Sequence, residues 1–377
     1  MYWLISLPLI DESYDRTWAT LKQKTAQEID WSSNYRFTLP ELRVGTLDSL
    51  MVLSDDLVKV NSMLESVVNK IRRQLFEMQA AASSSSNEDA SGEVLVESMP
   101  PDAYIEKFKW NEAKYPPRRP LSETVTTITE TVSKLEEDLK IRVVDYNQLK
   151  GQASQSARKQ TGSLAVRDLS TIVKASDVTE TENITTLFVV VGKHTKKDWL
   201  ENYEVLSDYV VPRSSKVIWE DNEYSLVTVS LFKRVVDTFK TNARGKGYQV
   251  RDYQYDPATQ KRDQEAGSHV KSDLETKRSQ LEEWSSTAYG EAFSAWIHIC
   301  AIRLFTESIL RYGLPPKFLS AIMKPNPKFA QKLRKALATL FSASENSHYE
   351  GDVGGGGMPA AEGEMYPYVS FTISIDG

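Results

Sequence analysis

The 377-residue sequence holds one cysteine, Cys300. A single thiol excludes an intrachain disulfide and a cysteine-rich zinc site, and it fits a reducing compartment. Histidine is scarce as well. His194, His269, His298 and His348 are scattered, with no metal-ligand spacing. Long apolar runs are missing: residues 184–192 and 292–302 both fall short of the ~18–20 residues of a membrane span. The apolar start, Met1-Tyr-Trp-Leu-Ile-Ser-Leu-Pro8, lacks a basic flank and runs into Asp11-Glu12. It reads as a core strand rather than a signal peptide. Positive charge is not in excess, with 46 basic against 52 acidic residues and a net charge of −6. That argues against nucleic-acid binding through bulk charge.

Chemistry-bearing motifs are also absent. There is no GxxxxGK[ST] phosphate loop, and the glycines at 354–357 lack both its lysine and its preceding strand. They read as a flexible segment, and Gly245-Lys246-Gly247 is too short to signify. His298 and Cys300 stand two residues apart in an apolar helical run, so they point to different helix faces and make no catalytic pair. Cys300 reads as a small buried hydrophobe. The Asn183-Ile-Thr185 sequon reads as chance. Carboxylates sit in charge-patterned helices, the sign of a solvated face. The expectation is a protein with no catalytic residues, no metal and no cofactor.

What is present suits a folded chain of about two to three domains, 40% hydrophobic and 26% charged. Residues 2–7 read as a strand and 14–25 as a helix. Leu57, Val60, Leu64, Val67, Val68, Ile71, Leu75 and Met78 recur at helical steps on a helix that Ser54 is placed to cap. Residues 79–98 are small, serine-rich and acidic, which reads as a flexible linker. The serines at 83–86 are open to phosphorylation or simply solvated.

No proline occurs between Pro120 and Pro212, or between Pro257 and Pro315. In the first gap Val125, Ile128, Val132, Leu135, Leu139, Tyr146 and Leu149 keep 3/4 spacing, broken at Arg142, over about four heptads. The pattern fades from Gly151 to Gly162. In the second gap Val270, Leu274, Leu281, Trp284, Ala288 and Ala295 keep a similar seam with a break at Lys277. From Phe293 the helix turns apolar on most sides, until Gly313 and Pro315-Pro316 stop it. Two long helices, each with one apolar stripe, have reason to pair antiparallel. The expected packing residues are Val125, Ile128, Val132, Leu135, Leu139, Leu274, Leu281 and Trp284.

Between them, residues 185–191, 216–219 and 224–232 read as strands, the last two joined at Asp221-Asn222. Val235, Val236 and Phe239 suggest a short helix, and residues 248–255 a returning strand. Toward the C-terminus, residues 326–341 read as a basic amphipathic helix. Val369, Phe371, Ile373 and Ile375 alternate with polar residues as in a half-buried antiparallel strand. The fold class is therefore α+β, an elongated dumbbell. Residues 1–120 and 313–377 form a foot, 121–163 and 264–312 an antiparallel two-helix neck, and 164–263 a compact α+β head.

Two local excesses of positive charge stand out on this acidic chain. Lys233, Arg234, Lys240, Arg244 and Lys246 cluster in the head region. Lys324, Lys328, Lys332, Arg334 and Lys335, with Lys317, cluster in the foot region without an acid. Each reads either as ordinary surface lysine or as a docking site for an acidic partner surface.

Several contiguous stretches are distinctive in combination: the opening octapeptide, Asp168-Leu-Ser-Thr-Ile-Val173, Trp199-Leu-Glu-Asn-Tyr-Glu-Val-Leu206 and Val210-Val-Pro-Arg-Ser-Ser215. To these add Phe232-Lys-Arg-Val-Val-Asp-Thr-Phe-Lys240, Trp296-Ile-His-Ile-Cys-Ala-Ile-Arg303 and Glu307-Ser-Ile-Leu-Arg-Tyr-Gly-Leu-Pro-Pro316. Together they resemble the C subunit of the eukaryotic vacuolar proton-translocating ATPase (V-ATPase). The stretches 79–98 and 351–363 show no family pattern. The resemblance implies a non-catalytic stator component of the peripheral, ATP-hydrolysing sector. It implies a head that grips one E–G peripheral stalk, and a foot that meets another stalk and the cytosolic N-terminal domain of the membrane a subunit. It further implies release on reversible disassembly, residence on the cytosolic face of vacuolar membranes through partners only, and actin binding. A coiled-coil actin linker outside any ATPase is the alternative.

Overall fold

Tyr2, Trp3, Leu4, Ile5, Ser6 and Leu7 are all buried, because the strand they form, β1 (Tyr2–Pro8), is covered on both faces. The computed structural model describes residues 1–27, 30–83, 94–342 and 366–375. The chain is mixed α+β in two units, Met1–Arg142 with Gln280–Gly377, and Val143–Ser279.

In the first unit, β1 is followed by α1 (Tyr14–Lys22), β2 (Ser32–Arg36), α2 (Leu47–Ser83), α3 (Pro101–Glu106) and the start of α4 (Leu121–Thr161). The second unit contains the end of α4, then β3 (Ile184–Gly192), α5 (Lys196–Asn202), β4 (Lys216–Glu220), β5 (Tyr224–Phe232), α6 (Val236–Gly245), β6 (Gln249–Arg251) and the start of α7 (Pro257–Tyr312). The rest of α7, β7 (Phe318–Pro325), α8 (Ala330–Ser342) and β8 (Val369–Ile373) return to the first unit.

Each unit has one four-stranded sheet in which every pairing is antiparallel. The first runs β2-β7-β1-β8, with Trp3 opposite Met323 and Thr372. The second runs β4-β5-β3-β6. Numbered within each sheet, both are βαββαβ units of order 2-3-1-4, the split βαβ arrangement. In the first unit the two halves, β1-α1-β2 and β7-α8-β8, are separated by residues 37–317.

Alternation along the strands sorts the two faces. Trp3, Ile5 and Leu7 of β1, with Leu319, Ala321 and Met323 of β7, meet Leu21 of α1 and Leu333, Leu337 and Phe341 of α8. On the other face α7 takes over. The Tyr312 hydroxyl donates to the Ser6 carbonyl (2.8 Å), Phe305 meets Phe318 edge-on and the Arg303 guanidinium lies 4.0 Å from the Phe371 ring. In the second unit Val189, Val191, Val227 and Val229 pack on Trp199 of α5 and Phe239 of α6. Phe188, Val190 and Leu226 pack on Leu164, Leu169, Ile172 and Val173. Asp221 holds the β4–β5 turn. Its carboxylate accepts N–H groups from Glu223, Tyr224 and Leu164 at 2.8, 2.5 and 3.0 Å.

The structure corrects several boundaries. Helix α2 starts at Leu47 rather than near Ser54. Thr46 caps it by accepting the Ser49 N–H (3.3 Å), while the Ser54 hydroxyl donates to Glu307 in mid-helix. Its first turn exposes Leu47, Met51 and Val52, so no polar-apolar contrast marked the start. At its other end α2 continues through Ala80–Ala82, where alanine's high helix propensity outweighs the small-residue composition. Val94 and Val96 are buried, and a turn at Glu97-Ser98 joins Val96 to Met99, so the segment read as a linker is shorter than 79–98. The serines at 84–86, the end strand's Asp376 and the glycines at 354–357 lie outside the described residues.

Helix α4 passes through Gly151 to Thr161, since one glycine costs only about 1 kcal/mol in a helix interior. Helix α8 begins at Ala330 rather than 326, because Asn326 turns the chain by accepting the Lys328 N–H (3.2 Å). Strand β6 is three residues, not eight. Strands β2 and β7 and helix α5 had no sequence expectation. At the end of α7, Gly313 adopts φ +80° and closes the last turn onto Ile309.

An 18-residue window of α7 reaches mean hydropathy 1.3, enough by length and composition to cross a membrane, but 83% of it is buried inside the protein. The expectation that no stretch approaches a span fails here. Residues 292–309 are buried save Arg303 and Glu307, so this stretch needs no polar face. Gly290 lets residues 95–96 approach, with the Leu95 carbonyl 3.2 Å from where a Cβ would sit.

Burial of β1 on both faces gives a direct test. Leu4→Ala and Ile5→Ala, on opposite faces, should each destabilise the chain by about 2–5 kcal/mol, measured by chemical denaturation. A strand with one wet face would lose stability at only one of the two positions.

Candidate functional site

The basic residues of the second unit are not equivalent. Lys233 Nζ stands 2.7 Å from Glu180 and Lys240 Nζ 2.5 Å from Asp252. The Lys233 hydrogen bond, then that of Thr185, holds the Glu180 carboxyl below its usual range, and the Lys240 hydrogen bond does the same for Asp252. Both pairs are exposed enough to contribute little stability. Arg234 instead stacks on Tyr209, its guanidinium carbon 3.6 Å from the ring centroid. Arg244 and Lys246 are exposed at the end of α6. Arg251 is used internally, donating to the carbonyls of Leu164 (3.0 Å), Ala165 and Arg167 (3.1 Å).

The first unit sorts its basic residues in the same way. Lys324 lies 3.1 Å from Asp102 and 3.6 Å from Glu106, and the Tyr2 hydroxyl donates to the same two carboxylates at 2.5 and 3.0 Å. Burial pushes the Asp102 carboxyl up, but the hydrogen bonds from Tyr2 and Lys324 and the Lys324 charge bring it below the usual range. Burial and the two carboxylates raise the Tyr2 phenol far above its ordinary value. Lys317 pairs with Glu12 at 2.9 Å. Arg334 lies over Trp3 (4.3 Å) and Tyr366 (4.9 Å). Lys332 and Lys335 stay exposed on α8, three residues apart and so on one side of it, and Lys328 is exposed just before the helix starts.

Of the helix-pairing residues, Val125, Ile128, Val132, Leu139 and Leu281 are buried, whereas Leu135, Leu274 and Trp284 are half-buried. Arg142, where the seam breaks, covers Trp284, its guanidinium carbon 5.0 Å from the ring. Helix α2 also reaches α4: Lys70 pairs with Glu136 at 2.7 Å. The start of α4 therefore has α2 beside it as well as α7.

His298 and Cys300 are kept apart. The Cys300 thiol donates to Asn61 Oδ1 (3.2 Å), and burial pushes its pKa up to about 12, so it is no nucleophile. His298 sits in an aromatic cage, with Phe108, Trp110 and Tyr115 rings 5.0, 4.9 and 4.8 Å away. Its Nε2 accepts the Asn111 backbone N–H (3.1 Å), so Nδ1 carries the proton and donates to the Ser294 carbonyl (2.7 Å). Burial depresses its pKa to about 4. Among the described residues no cluster of three or more His, Cys, Asp or Glu is arranged to hold a metal.

His298 makes stability pH-dependent. The unfolded chain protonates this ring near pH 6.5 and the folded chain only near 4. Stability is therefore complete above about pH 6.5 and falls between 6.5 and 4, by about 3 kcal/mol from this group. His298→Gln should lower stability at neutral pH but flatten that acid limb in denaturation curves collected at pH 4.5 and 7. An unchanged acid limb would assign it to other groups.

The family model for the V-ATPase C subunit matches residues 2–369. The V-type proton ATPase C subunit of Arabidopsis thaliana is 46% identical over 376 residues, covering 99% of both chains. That of Hordeum vulgare is 43% identical over 346 residues, covering 89% of this chain and 96% of the relative. The C 1-B subunit of the Danio rerio enzyme is 39% identical over 380 residues, covering 100% and 98%. Among solved structures, the cytoplasmic N-terminal domain of the V-ATPase I subunit, a homolog of the a subunit, aligns over 91% of this chain and 98% of its own. It does so at 13% identity and a TM-score of 0.27, too low to inform the fold. With a family-model match over residues 2–369 and relatives 39–46% identical along nearly their whole length, the chain belongs to the V-ATPase C subunit family.

Proposed function

We propose that this chain is a non-catalytic stator component of the vacuolar proton-translocating ATPase. It clamps E–G peripheral stalks and the cytosolic N-terminal domain of the membrane a subunit, so that ATP hydrolysis is coupled to rotary proton pumping, and it is released on reversible disassembly. The observation that carries this reading is family membership along residues 2–369. It acts from the cytosolic face, reaching the membrane only through partners. The relatives described above are named as V-ATPase subunits, so an actin linker outside the ATPase is not favoured.

In this reading residues 164–263 are a head that docks one stalk, with Lys233, Arg234, Lys240, Arg244 and Lys246 at its surface. Residues 1–120 and 313–377 are a foot, with Lys324, Lys328, Lys332, Arg334 and Lys335 facing the membrane a subunit or a second stalk. Residues 121–163 and 264–312 form a neck whose stiffness resists rotor torque. Internal ion pairs shift the weight within each set toward Arg234, Arg244 and Lys246 in the head, and toward Lys328, Lys332 and Lys335 in the foot.

Two measurements test it. The full chain carrying Arg244→Glu and Lys246→Glu should bind purified E–G heterodimer more weakly, with a shallower salt dependence, by calorimetry. Equal affinity at every salt concentration would sink the head assignment. Leu135→Pro, which costs about 3 kcal/mol or more within α4, should lower ATP-driven proton pumping in membranes that contain the assembled complex. Full pumping by that variant would show that a stiff neck is not needed.

A further inference from the structure

Tyr209 in the second unit is a backbone outlier. Its φ is +60°, in the left-handed region that bulky side chains avoid because Cβ crowds the carbonyl oxygen. Such strain persists only where the surroundings over-determine it, and here they do. The Tyr209 carbonyl accepts the Phe232 N–H (3.2 Å), Val210 bridges Leu231 and the Val211 N–H donates to Ser230 (2.9 Å). Upstream, the Leu206 carbonyl accepts from the Asn242 amide (2.7 Å). Downstream, Glu204 accepts both the Arg213 N–H and the Tyr203 hydroxyl at 2.9 Å, closing the loop on itself. Arg213 is left-handed as well, at φ +55°.

All this fixed backbone does not bury the tyrosine. Its side chain is 56% exposed. One face of the ring is covered by the Arg234 guanidinium at 3.6 Å, and its edge meets Phe232 at 6.0 Å. Arg234 is itself exposed and forms no ion pair among the described residues, unlike its neighbour Lys233, which Glu180 holds. A guanidinium over a ring face keeps its N–H groups in its own plane, where an acceptor can reach them from the side. Four residues before Tyr209, Val205 is 83% exposed, and Leu200 on α5 is 48% exposed. A strained, preorganised Tyr–Arg stack beside bare aliphatic side chains has the composition of an interface anchor, where tyrosine and arginine dominate binding energy. Preorganisation lowers the ordering cost that a flexible lysine would pay on docking.

We infer that Tyr209, Arg234 and Val205 form the anchor of a protein-docking surface on this unit, taking a partner segment that places a carboxylate on Arg234 and an aliphatic side chain against Tyr209 and Val205. This rests on the stalk-docking reading above and deepens it, adding residues outside the lysine cluster.

The test uses the full chain and purified E–G heterodimer, with affinity by calorimetry and Tm measured alongside. Tyr209→Gly relieves the left-handed strain while removing the ring, so its Tm should be unchanged or higher. Val205→Asp alters a side chain too exposed to affect folding. Each should weaken binding about tenfold or more. Wild-type affinity in both variants, with the wild-type chain binding, would overturn the anchor and leave the stalk reading intact. Absence of binding by the wild-type chain would overturn the stalk reading and this surface's assigned partner together.

Discussion

Residues 292–309 of α7 are buried on nearly every side, and the first unit is organised by that constraint. A helix without a wet face must be wrapped. The β2-β7-β1-β8 sheet lies against it, α2 reaches it through Asn61 and Ser54, and the segment 94–115 reaches it through Tyr104, Phe108 and Trp110. Its polar side chains then need partners, since a buried unpaired polar group costs a few kcal/mol. Ser294 meets Tyr104, Trp296 and Cys300 share Asn61, His298 takes Asn111 and Glu307 takes Ser54. These directional bonds pin the surrounding segments to particular turns of α7, which apolar contact alone would leave free to slide.

Both units use the same answer to the problem of a four-stranded antiparallel sheet. Two helices cover one face, α1 and α8 in one case and α5 and α6 in the other, and elements outside the βαββαβ pattern cover the second. Double coverage explains why β1, β3, β5 and β7 are buried along most of their length rather than at every second residue. Strand β8, at the sheet edge, is less covered: Val369 and Ile373 at its two ends are buried while Thr372 is exposed.

Charge on this protein is divided between holding the fold and facing outward. Lys324, Lys317, Lys233, Lys240 and Arg251 are engaged with groups of their own unit, and each pairing is with a carboxylate or carbonyl far off in sequence or across a turn. Lys328, Lys332, Lys335, Arg244 and Lys246 are left exposed. A run of bases in the sequence is thus an upper limit on the bases a partner can meet. Arg234 shows the third possibility, an exposed arginine whose guanidinium carbon lies 3.6 Å from an aromatic ring centroid.

Periodicity and composition alone determined the long helices α4 and α7, the buried strands β1, β3 and β5, the β4–β5 turn at Asp221, the stop at Gly313 and the absence of a catalytic motif. These are local properties: spacing, proline and glycine act within a few residues. The family was equally legible, because its motifs are contiguous stretches. Only the tertiary structure decided that β7, hidden in a basic segment, is a central strand, that Ser54 serves Glu307 rather than a cap, and that Arg142 covers Trp284 where the seam breaks. It alone decided which bases stay exposed and that Tyr209 is held left-handed beneath Arg234. Each of these depends on a partner tens to hundreds of residues away, which no local pattern encodes. The halves of the first sheet are separated by residues 37–317, so their common topology emerges only when the chain has folded back on itself.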